Sequence, residues 1–94
     1  MRIYISGPIT NNPHYIEDFY EKEEELEQRG IDVINPVRGG DAFRSLKYEE
    51  YIQLDLLLLE MCDAIYMLTG WQNSQGASLE HAYARIMGKE IIYQ

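Results

Sequence analysis

The sequence predicts an α/β fold built on a parallel sheet, and three features support it. Short β-type runs alternate with amphipathic helical patterns along the 94 residues, as in parallel sheets with helices on both faces. The run from Ala64 to Leu68 lacks polar alternation, which suits a strand covered on both faces. Right-handed crossovers leave few strand orders, and we expect four strands in the order 2-1-3-4. This three-layer arrangement is flavodoxin-like, or Rossmann-like.

Strands and helices are predicted in the order βαβαβαβ. The strands are expected at residues 3–5, 31–34, 64–68 and 91–93. The helices are expected at residues 15–29, 47–61 and 77–87, and Gly30 and Gly88 are their predicted stops. Residues 36–46 contain Gly39 and Gly40 and are predicted to form a loop.

The first two helices are predicted to bury one side each. The apolar side of the first helix carries Ile16, Phe19, Tyr20 and Leu26. Its glutamate-rich remainder is expected to face water. The apolar stripe of the second helix carries Tyr51, Leu54, Leu58 and Met61.

Composition and charge restrict the classes of function. Hydrophobic residues make up 46% and charged residues 26%, which predicts one ordered domain over residues 1–94. The net charge is −8, and seven of the sixteen acidic residues lie between Glu17 and Glu27. A nucleic acid polymer is therefore not an expected partner, because binding one requires a basic stripe, whereas a single nucleotide requires only a local site. The small core favours a homo-oligomer.

Neither a metal nor a membrane is expected. Cys62 is the only cysteine, which excludes a disulfide framework and a cysteine-rich zinc site. His14 and His81 have no metal-ligand spacing with other candidate ligands. The N-terminus does not resemble a signal peptide, and apolar runs such as residues 56–59 are too short to span a bilayer. We expect a soluble cytoplasmic protein.

The predicted topology gives the position of a ligand crevice. In open α/β sheets, ligands bind beyond the carboxyl ends of the strands where the strand order reverses, here between the first and third strands. Residues 6–10 and 69–76 border that crevice, so Ser6, Gly7, Pro8 and Trp71 are candidate ligand contacts. Trp71 either stacks on a base or covers the sheet edge.

The third helix carries candidate groups at its start. We expect Glu80 in about the first turn, where the helix dipole favours the ionised carboxylate that a nucleophile requires. Glutamate is also common there for the same dipole reason alone. Ser74, Gly76 and Ser78 precede Glu80, and backbone N–H groups at a helix start can hold a phosphate. Serine and glycine are also ordinary cap and loop residues.

Two further side chains have both a functional and a structural interpretation. Asp55 lies within the apolar second helix and either faces solvent or points into a site. Tyr4 alternates with Ile3 and Ile5 on a central strand. Its hydroxyl is either satisfied within the core or placed against a carboxylate near the end of the strand.

Several segments resemble the nucleoside 2-deoxyribosyltransferase-like superfamily, closest to a small branch of phage and bacterial domains of unknown function. They occur in the family's order and cover nearly the whole chain. The segments are Ile3-Tyr4-Ile5-Ser6-Gly7-Pro8-Ile9, Asp55 to Asp63 at a spacing of eight, Gly70-Trp71, Ser74-Gln75-Gly76-Ala77-Ser78-Leu79-Glu80, Ala82-Tyr83-Ala84 and Gly88-Lys89.

The resemblance implies roles for individual residues. In the superfamily a glutamate attacks the anomeric carbon of the sugar and expels the base, and Glu80 falls on that position. Tyr4 matches a tyrosine that holds the nucleophile, and Asp55 matches an acid near the base and sugar. Ser74 matches the serine that contacts phosphate in the branch that hydrolyses deoxynucleoside 5′-monophosphates. Ser78 departs from the glycine of that branch.

The resemblance therefore implies an enzyme that cleaves or transfers the N-glycosidic bond of a nucleoside or nucleoside 5′-monophosphate. It implies no metal and no organic cofactor, and it implies a homo-oligomer. An alternative is a nucleotide-binding module that senses or sequesters its ligand without turnover. A further alternative is an interaction domain that uses the acidic first helix.

Overall fold

A computed structural model describes residues 1–39 and 43–94, so Gly40, Asp41 and Ala42 of the predicted loop lie outside the described residues. Four parallel strands form a sheet of order β2-β1-β3-β4, which confirms the predicted fold class. The strands are β1 (Arg2–Ser6), β2 (Asp32–Ile34), β3 (Ala64–Met67) and β4 (Glu90–Tyr93). The helices are α1 (Tyr15–Gln28), α2 (Tyr48–Glu60) and α3 (Gln75–Ile86).

The two faces of the sheet are covered by different helices. Ile3 and Ile5 of β1 pack with Leu26 and Phe19 of α1 on one face. Tyr4 points to the opposite face, because successive side chains of a strand alternate, and it packs there with residues of α2 and α3. The sheet is the middle layer, and every second side chain of β1 therefore faces α2 and α3.

The helix α1 differs from its predicted pattern at two positions. Ile16 is 50% exposed, although it was assigned to the apolar side. Glu23 is buried, although the glutamates were expected to face water. Burial is tolerated because Glu23 accepts hydrogen bonds from Arg38 and Asn35.

The segment after β2 is more ordered than a plain loop. Pro36–Gly39 forms one turn of 3₁₀ helix. The side-chain oxygen of Asn35 accepts the N–H of Val37 at 3.0 Å, and the carbonyl of Asn35 accepts the N–H of Arg38 at 3.2 Å. Because asparagine side chains stabilise such turns, the chain after β2 has a defined course, and the prediction of a loop is wrong here.

The apolar residues of α2 serve two purposes. Leu59, which lay outside the predicted stripe, is completely buried, whereas Met61, which was placed in the stripe, is 60% exposed. Tyr51, Leu54 and Leu58 are half-buried and face a cavity beside the sheet. The predicted stripe is therefore a cavity wall rather than the main packing surface of α2.

Within residues 1–39 and 43–94, no helix combines the length and apolar character needed to cross a bilayer. In the same part of the chain, His, Cys, Asp and Glu side chains form no group of three or more that could hold a metal ion.

Candidate active site

The Glu80 carboxylate is held between two hydroxyl groups of the central strand. Tyr4 Oη donates a hydrogen bond to Glu80 Oε2 at 2.7 Å, and Ser6 Oγ donates one to Oε1 at 2.6 Å. Tyr4 and Ser6 are two positions apart on β1, so both side chains point to the face that α3 covers. Glu80 is only 6% exposed. We call Tyr4, Ser6 and Glu80 the carboxylate clamp.

The position of Glu80 in α3 differs from the expectation. The helix begins at Gln75, because the Ser74 side chain caps it by accepting the N–H of Ala77 at 3.2 Å. Glu80 is therefore in the second turn, beyond the first turn to which the helix dipole is largely confined. The two hydroxyls, rather than the dipole, are the groups that favour its charged form.

The clamp balances opposing effects on protonation. Burial raises the pKa of Glu80, and the hydrogen bonds from Ser6 and Tyr4 act against that rise. Burial, and then the charge of Glu80, raises the pKa of Tyr4 well above its ordinary value. Tyr4 therefore keeps its proton at physiological pH and remains a donor.

Asp55 has a different environment. It lies in the middle of α2 and is half-buried, and its carboxyl group makes no hydrogen bond to any residue in the described part of the chain. Burial, and then the negative charge of Glu80, raises the pKa of Asp55 to about 7. The molecule thus holds two coupled carboxyl groups, and Asp55 changes its protonation near neutral pH.

A cavity of about 300 Å³ lies beside Asp55, between α2, the end of β2 and the turn that follows. Its aliphatic lining consists of Val33, Ile34, Pro36, Leu54 and Leu58. Its polar and aromatic lining consists of Asn35, Arg38, Asp55, Phe43 and Tyr51. We call it the α2 cavity, and its apolar walls with a few polar groups are typical of small-molecule sites.

The α2 cavity lies one strand away from the crevice predicted between β1 and β3. Close packing explains the shift. A Cβ atom on Gly7 would lie 2.7 Å from Leu68 Cβ, so the backbone after β1 rests directly on that side chain. Pro8 Cγ is 3.6 Å from the position that a Cβ on Gly70 would take. These contacts join the chain segments after β1 and β3, and Glu80 itself is not among the residues that line the α2 cavity.

Only Asp55 among the predicted site residues lines the α2 cavity. Ser74 caps α3, and the Ser78 hydroxyl points to the carbonyl oxygens of Trp71 and Gln72 at 3.4 and 3.5 Å. Gly76 packs against α2, since its Cβ position would lie 3.5 Å from Ile52 Cδ1.

The Trp71 ring stacks on His81, with 4.2 Å between ring centroids. The Trp71 ring also lies 6.1 Å from the ring of Tyr93 on β4, a strand at the edge of the sheet.

Sequence reasoning found only part of the polar wall of the α2 cavity. Arg38 and Arg44 were loop arginines that either reach a phosphate or are solvated, and Asn35 was not singled out. The structure places Asn35 and Arg38 in the cavity wall, and both are bonded to Glu23 of α1. The signal that could have found Asn35 is its place directly after the end of β2, at the carboxyl edge of the sheet where ligands bind in such folds.

The four-stranded parallel sheet with helices on both faces is a fold of the nucleoside deoxyribosyltransferase class, as two solved structures show. The chain aligns with the CMP N-glycosidase BcmB of Clostridium botulinum at 24% identity and a TM-score of 0.71, covering 99% of this chain and 67% of that one. It aligns with the 2-desoxiribosyltransferase of Leishmania mexicana at 20% identity and a TM-score of 0.73, covering 98% of this chain and 62% of that one. These likenesses confirm the resemblance at the level of the fold.

The chain belongs to the family described as "Domain of unknown function (DUF4406)", whose model matches residues 1–93. No curated protein matches the chain. The chain spans about two thirds of the length of the two solved structures.

Proposed function

We propose that the chain cleaves the N-glycosidic bond of a nucleoside or nucleoside 5′-monophosphate, with Glu80 as the nucleophile. One observation carries the proposal: a buried carboxylate held by two hydroxyl donors is coupled to a second carboxyl group whose pKa is about 7. Two carboxyl groups with different protonation are the means by which glycosidic bonds are broken in many enzymes. The likeness of fold to an N-glycosidase and a 2-desoxiribosyltransferase supports the same reaction type.

In the proposed first step, a Glu80 oxygen forms a bond to the anomeric carbon as the bond from that carbon to the base nitrogen breaks. The departing base takes the electron pair of the broken bond and a proton from Asp55. In the second step, water or another base attacks the same carbon and releases Glu80. The ionised Asp55 then accepts the proton of the attacking group, which restores the starting state.

Tyr4 and Ser6 are proposed to position the nucleophile. Their hydrogen bonds fix both Glu80 oxygens, so the carboxylate does not rotate away from the sugar. The raised pKa of Tyr4 keeps its hydroxyl a donor while Glu80 is charged.

The rest of the ligand is assigned to the surrounding elements. The α2 cavity, which contains Asp55, would hold the base. The segment Ser6-Gly7-Pro8, the Trp71 ring, and Ser74, Gly76 and Ser78 at the start of α3 are proposed to lie along the sugar and phosphate, since N–H groups at a helix start favour anions. No metal or organic cofactor takes part in the proposed reaction. A homo-oligomer remains part of the proposal, because the domain is small. A cytoplasmic location also remains part of the proposal.

The experiment is a base-release assay on purine and pyrimidine nucleosides and their 5′-monophosphates, in the ribose and 2-deoxyribose series. We expect free base in the chromatogram with the unmodified chain. We expect a loss on the order of 10³-fold or more in Glu80→Gln, because the nucleophile is removed. Glu24→Gln is the matched control, since Glu24 is exposed on α1. No release from any substrate at high protein concentration would contradict the proposal.

A nucleotide-binding module without turnover is the second candidate. It is favoured by the burial of Glu80, whose two oxygens are both hydrogen-bonded and which does not line the α2 cavity. Titration calorimetry with the same ligands distinguishes the two functions. A binder without turnover gives a saturable heat and returns the ligand intact, and its affinity falls in Asp55→Ala, because Asp55 lies in the cavity wall.

A further inference from the structure

The polar wall of the α2 cavity is anchored to α1 by one buried glutamate. Glu23 is 5% exposed, and one of its oxygens accepts a hydrogen bond from Arg38 Nε at 2.9 Å and forms an ion pair with Arg38 Nη2 at 2.8 Å. Its other oxygen accepts Asn35 Nδ2 at 2.9 Å and Arg38 Nε at 3.1 Å. A carboxylate bonded to both side chains fixes their positions relative to each other and to the cavity that they line.

Arg38 is held on a second side as well. Its guanidinium carbon lies 4.6 Å from the centre of the Tyr20 ring, which is a cation–π contact. Ring and carboxylate together restrict the rotation of the guanidinium, so little entropy is lost when a ligand binds to it. Arg38 is therefore a preorganised donor group at the cavity rather than a freely solvated loop residue.

Arg38 has N–H groups that Glu23 does not bind. A guanidinium carries five N–H groups. Glu23 accepts the Nε hydrogen, and its carboxylate lies 2.8 Å from Nη2 as an ion pair, so neither hydrogen on Nη1 has a partner among the described residues. The Nη1–Nη2 edge presents two parallel donors, which match two adjacent acceptors on a planar ligand.

The charges at the cavity favour a neutral ligand edge over a phosphate. Glu23 neutralises Arg38 at contact distance, and the acid Asp55 lines the same cavity. A dianion would find no excess positive charge there, whereas carbonyl oxygens and ring nitrogens accept hydrogen bonds without bringing charge into an apolar cavity.

Resting on the proposed function, we propose that Arg38, positioned by Glu23, reads the base and selects those that present two adjacent hydrogen-bond acceptors. Guanine and hypoxanthine present O6 and N7, and cytosine presents O2 and N3. Adenine and uracil interrupt the acceptor pair with a donor group. The chain should therefore prefer deoxyinosine to deoxyadenosine, and deoxycytidine to deoxyuridine.

The test measures each of these two substrate pairs, with and without a 5′-phosphate. kcat/KM is obtained from base release, and affinity is obtained by calorimetry with the Glu80→Gln variant. A bidentate guanidinium contact discriminates by roughly 5- to 150-fold. We expect a preference of about that size in both measurements, expressed mainly in KM.

Three variants isolate the guanidinium. Arg38→Met keeps the length of the side chain and removes the donors, so the preference should fall to near unity. Arg38→Lys keeps the positive charge but lacks the two parallel N–H donors of the guanidinium, so it should lose most of the preference. This variant serves as the test if Arg38→Met does not fold. Glu23→Gln should weaken the preference while activity on the poorer substrate persists, an effect that general destabilisation would not produce. Arg29→Met is the matched control, since Arg29 pairs with Glu25 on the surface of α1.

Each outcome supports or overturns the inference. Discrimination in binding without any base release would refute the proposed N-glycosidase activity and leave the role of Arg38 intact. Base release with equal rates for the paired substrates, or with a preference that survives in Arg38→Met, would overturn the role of Arg38 alone. A preference for the 5′-phosphate that disappears in Arg38→Met would overturn it in favour of phosphate binding. No binding of any panel member would overturn both.

Discussion

The carboxylate clamp and the α2 cavity contain acids of the same chemical type in opposite surroundings. In the clamp, Glu80 is almost fully buried and both of its oxygens accept hydroxyl protons. At the cavity, Asp55 is half-buried and has no hydrogen-bond donor within residues 1–39 and 43–94. Burial raises the pKa of both groups, but only the clamp supplies donors that oppose the rise.

The difference teaches how one small sheet can give two acids different hydrogen-bonding environments. Hydroxyl groups on β1 are directed at α3, because Tyr4 and Ser6 share a face of the strand. Half of the residues that line the α2 cavity are aliphatic, and the Asp55 carboxyl accepts no hydrogen bond from a described residue, so it lacks the donors that oppose the rise in the pKa of Glu80. Nucleophilic attack requires a charged, oriented group, and protonation of a leaving base requires a protonated, accessible group.

Among the variants that test this comparison of Glu80 with Asp55, Asp55→Asn is expected to have the largest effect, which is on the rate of base release. If Asp55 donates the proton to the base, base release should fall by about 10²- to 10⁴-fold. With Asp55 intact, the rate should decline as pH rises through about 7, because the acid loses its proton there. The variant should lack this decline.

The pH profile of base release is the measurement, and Asp32→Asn on the exposed start of β2 is the control. An unchanged rate and an unchanged decline in Asp55→Asn would show that another group supplies the proton.

A smaller effect is expected from Tyr4→Phe. This change leaves Glu80 with one donor instead of two, and hydrogen bonds to charged groups contribute about 1.5–3 kcal/mol to the free energy of unfolding. Tyr83→Phe is the control, since Tyr83 also donates to a glutamate, Glu60, but on the surface. That bond is exposed, so its loss should cost less stability than the loss of the buried Tyr4 bond.

Urea unfolding followed by circular dichroism measures both variants. Equal losses of stability in the two variants would mean that burial does not strengthen the clamp.

The smallest expected effect concerns the stability of Asp55→Asn. The folded-state pKa of Asp55 is raised to about 7, above its unfolded value, so the folded state binds the proton more tightly. Stability from this group is therefore full below about pH 4 and is lost as pH rises towards 7. The variant should be more stable than the parent at pH 8, by about 1–2 kcal/mol once solvent screening is allowed for, and similar to it at pH 4.

Thermal unfolding at the two pH values checks this prediction. A variant that is less stable at pH 8 would refute the assignment of a destabilising charge to Asp55.

The order of elements was predictable because each element has its own local signal. Short apolar runs of β type indicated the strands, and Gly30 follows α1 with a φ of +80°, which glycine adopts readily. The pairing of Tyr4 with a carboxylate was one of two sequence interpretations, and the 2.7 Å hydrogen bond from Tyr4 Oη to Glu80 Oε2 agrees with it rather than with a hydroxyl satisfied elsewhere in the core.

Contacts between distant residues were not predictable. Glu23 lies among six other acidic residues between positions 17 and 27, and nothing local distinguishes it from its exposed neighbours. Its burial depends on Arg38, fifteen positions later, which the turn after β2 brings back to α1. The α2 cavity likewise joins residues around the end of β2, such as Ile34, to residues of α2, such as Leu54, which lie about twenty positions apart in the sequence.

The stacked Trp71 and His81 rings give the molecule an internal optical probe. Trp71 is the only tryptophan of the chain, and the imidazole that it stacks on belongs to the residue next to Glu80. His81 Nε2 also meets the Tyr93 hydroxyl at 2.7 Å, which ties the imidazole to the last strand. Intrinsic fluorescence therefore originates beside the proposed nucleophile, and a change in its intensity or wavelength reports directly on movement of α3 against the sheet edge.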